Sequence, residues 1–218
     1  MTDKDNPQET VTDMEIGWLA GIIEGEGSIC LTVHKRADRL QQVRVTPKII
    51  ITNTDQDIIG KCESVLRRLN VGRWVHTTKP NNIQKAKQLA VGYKAITYIE
   101  VVGIKRLHSL LQKILPCLVG EKKKRAELLF LFTDGRLRKE DQMDVTKSNF
   151  RYDSVDIGLL GEFIDLTKSP NKKHIHGILN EYTRGSCFNK RLKRDSGLAR
   201  ECKRQSEMVI RQLCIVGQ

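Results

Sequence analysis

The chain has 218 residues and a net charge of +12, with 38 Lys and Arg against 26 Asp and Glu. That length suits one domain plus an extension with a sizeable core, and the charge suits a polyanion, either nucleic acid or an anionic membrane surface. No apolar run approaches the roughly 18 residues of a membrane span, and residues 1–12 are polar with no apolar core of a secretory signal. Six cysteines (Cys30, Cys62, Cys117, Cys187, Cys202, Cys214) form no C-x-x-C pair, which argues against a disulfide frame or a zinc site. An intracellular protein is expected, in cytoplasm, nucleoid or organelle, neither secreted nor membrane-bound.

Residues 1–12 read as an unstructured lead. Thr12 or Asp13 then caps an apolar helix that carries Gly17, Gly21 and Gly25 at a spacing of four. An interior glycine costs about 1 kcal/mol against alanine in a helix. Three on one face are tolerable where another backbone must come close, since a missing Cβ removes the steric limit. The ending is the second oddity. Glu24 and Glu26 sit beside unpaired carbonyls at the negative end of the helix dipole, where carboxylates are disfavoured. A cation explains acids gathered there.

The period then switches from 3.6 to 2. Ile29, Leu31 and Val33 alternate with Cys30, Thr32 and His34 in a strand over 28–35, followed by a charged turn at 36–41. A second strand spans 42–52, where Pro47 argues for an edge or a bulge. Asn53-Thr54-Asp55 offers three caps for a helix running to Asn70. Val71-Gly72 ends it, a third strand covers Arg73–Thr78, Lys79–Ala90 is a basic loop, and a fourth strand covers Tyr93–Val102. Helical periods follow at Lys105–Leu118 and Glu121–Phe132. The order helix, two strands, helix, two strands, helix, helix predicts an α/β (α+β) fold, an antiparallel four-stranded sheet covered by helices on one face.

The remainder differs in kind. Gly135–Arg151 is charged and reads as a linker, which places the end of the core at 137 and a basic, mostly helical extension at 138–218. Ser154–Leu166 is amphipathic, Pro170-Asn171 breaks it, and a further helical run spans Lys172–Tyr182. Lys190–Arg204 holds seven basic residues against two acids, and an apolar tail covers Met208–Val216. Ile157–Asp165 faintly echoes Ile16–Glu24. It has Thr167 where Glu26 would fall, and too little chain follows for a second unit, so it reads as an ordinary core helix.

Leu19-Ala20-Gly21-Ile22-Ile23-Glu24-Gly25-Glu26-Gly27 resembles the signature of the LAGLIDADG homing endonucleases, with Glu at both acid positions where Asp is commoner. The resemblance covers about residues 13–137 and implies an αββαββα core. It also implies a metal-dependent, site-specific double-strand DNA endonuclease that cuts across the minor groove of a long, nearly palindromic target and leaves 3′ overhangs. Position by position, Glu26 matches the metal-binding catalytic acid, Gly25 contributes its carbonyl to the metal, and Glu24 matches a mostly structural acid. Asn53 falls where many members carry a polar residue that orients water; it is equally a helix cap. Lys122 matches the basic residue near the scissile phosphate, and Lys123 is the alternative because the match needs a one-residue gap after Pro116.

The chemistry fits independently. Phosphodiester hydrolysis needs charge neutralisation, an activated water and help at the leaving oxygen, and Mg²⁺ (or Mn²⁺) supplies these from one or two carboxylates plus phosphate oxygens and waters. One helix offers one well-placed carboxylate. With a single complete motif in the chain, the second helix comes from a second copy, so a homodimer is expected, with Gly17, Ala20 and Gly21 at its interface. Base reading falls to the sheet face away from the helices, since a strand ribbon fits the major groove. Thr32, His34 and Arg36 from the first strand, Arg44, Thr46 and Lys48 from the second, and Arg73 are the expected DNA contacts; around Arg73 and His76 the neighbours Trp74 and Val75 spoil the alternation. The 79–87 loop and residues 190–204 suit phosphates. Two other functions share this fold: an RNA-binding maturase acting on its own intron RNA, and a DNA-binding regulator that no longer cleaves.

Overall fold

Helix α1 (Asp13–Glu26) begins at a closed capping box. The Thr12 hydroxyl accepts the Glu15 N–H at 3.3 Å, and the Glu15 carboxylate accepts the Thr12 N–H at 3.0 Å. Thr12, expected to end the unstructured lead, therefore already belongs to the fold. The computed structural model describes residues 10–35, 43–78, 94–142, 152–168 and 170–184, with 204, 207, 208, 210 and 211. Arg36, the 79–90 loop, nearly all of 190–204 and most of the apolar tail lie outside the described residues.

No linker separates α1 from strand β1 (Gly27–Lys35). Gly27 makes the junction: a Cβ there would stand 2.7 Å from both the Cα and the carbonyl oxygen of Ile23. Strand β2 (Val43–Asn53) returns antiparallel with Thr32 opposite Thr46 and His34 opposite Arg44. Helix α2 (Gln56–Arg68) is capped by Asp55, whose carboxylate accepts the N–H groups of Asp57 at 2.8 Å and Ile58 at 3.3 Å. Strands β3 (Trp74–Thr77) and β4 (Thr97–Val102) complete an antiparallel sheet in the order β1-β2-β4-β3. The fourth strand begins later than expected: Tyr93 lies outside the described residues and Lys94–Ile96 are not strand, although the Ile96 carbonyl accepts the Thr78 N–H at 3.0 Å.

Helix α3 (Ile104–Ile114), a 3₁₀ turn at Leu115–Cys117, and helix α4 (Gly120–Gln142) follow. The alternating strand residues Ile29, Ile49, Ile51, Ile99 and Val101 are buried against Leu19 and Ile23 of α1, Val65 and Leu66 of α2, Leu107 and Leu111 of α3, and Leu129 and Phe130 of α4. The helices thus share one face of the sheet, as the period switches predicted.

Pro47 fits its place. β4 pairs with β2 only from Lys48 to Asn53, so β2 is internal there and, among the described residues, an open edge over Val43–Pro47. An edge strand tolerates the missing N–H.

The expected linker from Gly135 is corrected over its first part, since α4 continues through Gln142. Several of its charges are paired: Arg138 meets Asp134 at 2.8 Å, Glu140 meets Lys105 at 3.1 Å, and Lys139 meets Asp156 at 3.1 Å. Helix α5 (Ser154–Leu166) and helix α6 (Lys172–Arg184) then build a second core. Leu159, Leu160, Ile164, Ile178, Leu179 and Tyr182 bury Phe132 of α4 together with Val33, Val43 and Val45 of the β1–β2 hairpin. The segment echoing α1 is a core helix of this second cluster. Asp156, 2% exposed, sits beneath it; burial pushes its carboxyl up while Lys139 and Arg136 oppose that.

Candidate active site and nucleic-acid interface

Two acids stand at the end of α1, and the fold treats them differently. Glu24 is anchored: its carboxylate accepts the Val119 N–H at 2.8 Å. Glu26 is exposed. One Glu26 oxygen accepts a hydrogen bond from the Asn53 side-chain amide. Asn53 is 9% exposed, and its own carbonyl oxygen accepts the Asp55 N–H at 2.8 Å. Because Asp55 caps α2, Asn53 is released from that duty and turned toward Glu26.

Lys122, in the first turns of α4, reaches the same place. Its ammonium donates to the Ile23 carbonyl at 2.9 Å and to the Glu24 carbonyl. Partial burial holds the ammonium below the usual lysine range, while Glu24 pulls the other way. The Gly27 N–H goes to the carbonyls of Ile22 and Ile23. None of these bonds goes to the carbonyl of Gly25, the residue before Glu26 at the end of the helix. Lys123 is not brought to the end of α1 by any hydrogen bond described; its N–H donates to Val119 within the helix start. Beneath the site, burial and the Glu26 charge push the Cys62 thiol up to about 11, so it is an inert core group. Cys30, Cys62 and Cys117 are free thiols.

The glycine face is open. A Cβ added at Gly17, Gly21 or Gly25 would meet nothing within 4 Å, although Leu19, Ala20 and Ile23 on the opposite face are fully buried. Ala20 is therefore corrected: it packs inside its own subunit and does not share the open face with Gly17 and Gly21. Helix spacing explains this, since Ala20 lies next to Leu19 and a turn before Ile23, on the core side. Two contacts hold α1 against α2 without covering that face. Arg68 forms a two-pronged ion pair with Glu15, and the Lys61 ammonium lies 4.3 Å from the centre of the Trp18 ring. The Arg68 guanidinium brings the Glu15 carboxyl from 4.5 down to about 2.

The sheet face away from the helices gathers Thr32 and His34 of β1 with Arg44, Thr46 and Lys48 of β2, as their alternation predicted. Arg73 is corrected. It precedes β3 on the parity of Val75, which pairs with the core residue Ile99, and its guanidinium meets Glu63 of α2 at 2.6 Å. The face instead receives Trp74 and His76, with Trp74 68% exposed. His76 stacks on Tyr98 at 5.0 Å between ring centroids and 6° between planes. Sequence reasoning passed over Trp74, Tyr98 and Glu100. The alternation of Tyr98 and Glu100 with the buried Ile99 and Val101 was the available signal. Glu100 lies 3.9 Å from Lys48, so the described face is less cationic than expected.

Among the described residues no group of three or more His, Cys, Asp or Glu side chains stands together as a metal cage, and no helix is long and apolar enough to cross a membrane. A hard cation that keeps several waters takes few protein ligands, so it needs no such cage.

No family model matches the sequence, and no curated protein matches it. Solved structures do. The homing endonuclease I-TnaI is 12% identical, with a TM-score of 0.51 over 79% of this chain and 99% of that one. The homing endonuclease I-CvuI, in complex with its target in the presence of 2 mM calcium, is 19% identical, with a TM-score of 0.50 over 79% and 97%. The group I intron-encoded homing endonuclease I-CeuI, complexed with DNA, is 16% identical, with a TM-score of 0.50 over 78% of each chain. At these identities the shared property is the fold: this chain has the homing-endonuclease α/β architecture.

Proposed function

We propose that this chain, which carries the homing-endonuclease fold, is a site-specific double-strand DNA endonuclease that acts as a homodimer with a divalent metal. One observation carries the reading: an exposed carboxylate, Glu26, ends a helix whose glycines have, among the described residues, nothing within 4 Å of where a Cβ would stand. Either feature alone is unfavourable, the acid because of the helix dipole and the glycines because of their propensity. A second copy of the helix, packed glycine to glycine, offsets both. It brings two Glu26 side chains together across a two-fold axis.

Glu26 and the Gly25 carbonyl are the groups that would hold the metal, and a bound Mg²⁺ would supply charge neutralisation at the phosphate and a more acidic water. Asn53 fixes the free rotation of Glu26, as outer-shell partners of metal ligands do. Lys122 ties down the Ile23 and Glu24 carbonyls, and its ammonium would add positive charge for the phosphate at the end of α1. The opposite sheet face would lie in the major groove. There Arg44 and Lys48 suit guanine edges and Glu100 suits a cytosine amino group. The stacked His76–Tyr98 pair and Trp74 present flat apolar surface at the same edge.

The test is Glu26→Gln, which keeps shape and removes the charge. Losing an outer-shell partner costs about 10–100-fold, and losing the ligand itself costs more. Nicking of a target-bearing plasmid with Mg²⁺ is expected to fall beyond that range, with target affinity in Ca²⁺ within a few-fold of the parent. Undiminished cleavage by the variant would end the assignment, and binding without cleavage by the parent would favour a regulator.

A further inference from the structure

Beyond Lys48 the sheet narrows to two strands. Over Val43–Pro47, β2 has β1 on one side and, among the described residues, no strand on the other. This ribbon carries Arg44 and Thr46 opposite His34 and Thr32, the residues farthest from Glu26 along the sheet. A two-stranded ribbon is marginal in water by itself, and an open edge leaves backbone N–H groups without partners.

The edge is finished in two ways. N–H directions alternate along a strand. Pro47 therefore places its missing donor on the same edge as the Val45 N–H, two residues away. The Val45 N–H itself donates to the Tyr152 hydroxyl at 3.1 Å. Tyr152 is held for this task. Its N–H donates to the Tyr182 hydroxyl at 2.9 Å, and that hydroxyl donates back to the Tyr152 carbonyl at 3.2 Å. Its ring lies 6.2 Å from Phe132 and 6.1 Å from Tyr182, with the Arg136 guanidinium 5.1 Å from its centre. Burial pushes the phenol up, so it stays a neutral hydroxyl. The other strand is fastened too, by Lys35 to Glu181 of α6 at 2.8 Å.

We propose that Tyr152 is a positioning residue for DNA recognition. It stands in for the missing strand at the open edge of β2 and sets the stiffness of the ribbon that presents Thr32, His34, Arg44 and Thr46 to the base pairs farthest from the cut. The proposal rests on the reading of that sheet face as the DNA surface. It gives the α5–α6 pair a part in specificity without any contact to DNA.

Tyr152→Phe in the full chain removes one hydroxyl and keeps the ring. Losing one such hydrogen bond corresponds to about a fivefold effect. Two readouts are expected to move. Amide exchange of the 43–47 segment in the free protein rises about fivefold while α1 and α2 are unchanged. Discrimination against substitutions at the outermost base pairs of the target falls by a similar factor, with discrimination near the cut and kcat on the intact target retained. Unchanged exchange at 43–47, or an equal loss of discrimination at every position, overturns the proposal. If the parent protein shows no sequence-dependent DNA binding, the functional reading fails instead, and the exchange measurement still judges the role of Tyr152.

Discussion

The two ends of the sheet are completed in opposite ways. Where α1 meets β1, the chain leaves a helix face bare, with Gly17, Gly21 and Gly25 facing open space and Glu26 exposed beside them. At the far end of the β1–β2 hairpin, the chain covers its own open edge. Tyr152 takes the Val45 N–H, and Val33, Val43 and Val45 disappear beneath α5 and α6. Exposed apolar or backbone surface needs an owner; one end is owned by the same chain, while on the proposed function the other is kept for a second copy. Substitutions should therefore separate assembly from stability according to the end they strike.

The largest effect is expected at the glycine face. Gly21→Leu adds a side chain where the single subunit has room, so the monomer should fold with an undiminished melting temperature, helped by the better helix propensity. Sedimentation should then show a monomer without cleavage activity. A dimer of normal affinity would break the comparison at this end.

Leu160→Ala strikes the self-covered end. Leu160 is 1% exposed in the second core, and removing it should cost about 2–5 kcal/mol in denaturant unfolding. The association state should be unchanged, and dissociation without destabilisation would invert the assignment of the two ends.

The smallest effect concerns the hold of α2 on α1. Because the Glu15 carboxyl is depressed from 4.5 to about 2 in the folded state, its contribution is fully present above pH 4.5 and is lost as pH falls through 2. Glu15→Gln should flatten the stability–pH curve between those values and leave its slope above pH 5 unchanged. An identical acid limb in the variant would show that the Arg68 pair is not what joins α1 to α2.

Much of the active end is legible in the sequence because its information is local. The glycines at a spacing of four, the acids at a helix end and the switch to alternation at Ser28 all lie within one short stretch. Asn53 is legible only in part. Three adjacent caps compete on paper, and only the folded chain shows Asp55 taking the N–H groups and Asn53 turning to Glu26. Arg73 misleads because the adjacent apolar residues Trp74 and Val75 spoil the alternation that assigns faces, and only the register, with Val75 opposite the core residue Ile99, shows which side Arg73 takes. Ala20 misleads because a motif names consecutive residues while a helix distributes them around its axis. The far end is the least legible. The charges of α4 look like a linker until Asp156 and Lys105 arrive from distant elements to pair with them, and the bond from Val45 to Tyr152 spans 107 positions of chain.

The absence of any linker between α1 and β1 has one more consequence. With Gly27 pressed so close to Ile23 that no side chain fits, the Glu26 carboxylate and the first residue of β1 move as one piece. On the proposed function this makes the protein a ruler. The distance from the bases it recognises to the bond it breaks is built into the backbone, so new side chains on the strands would change which sequence is cut without changing where within it the cut falls.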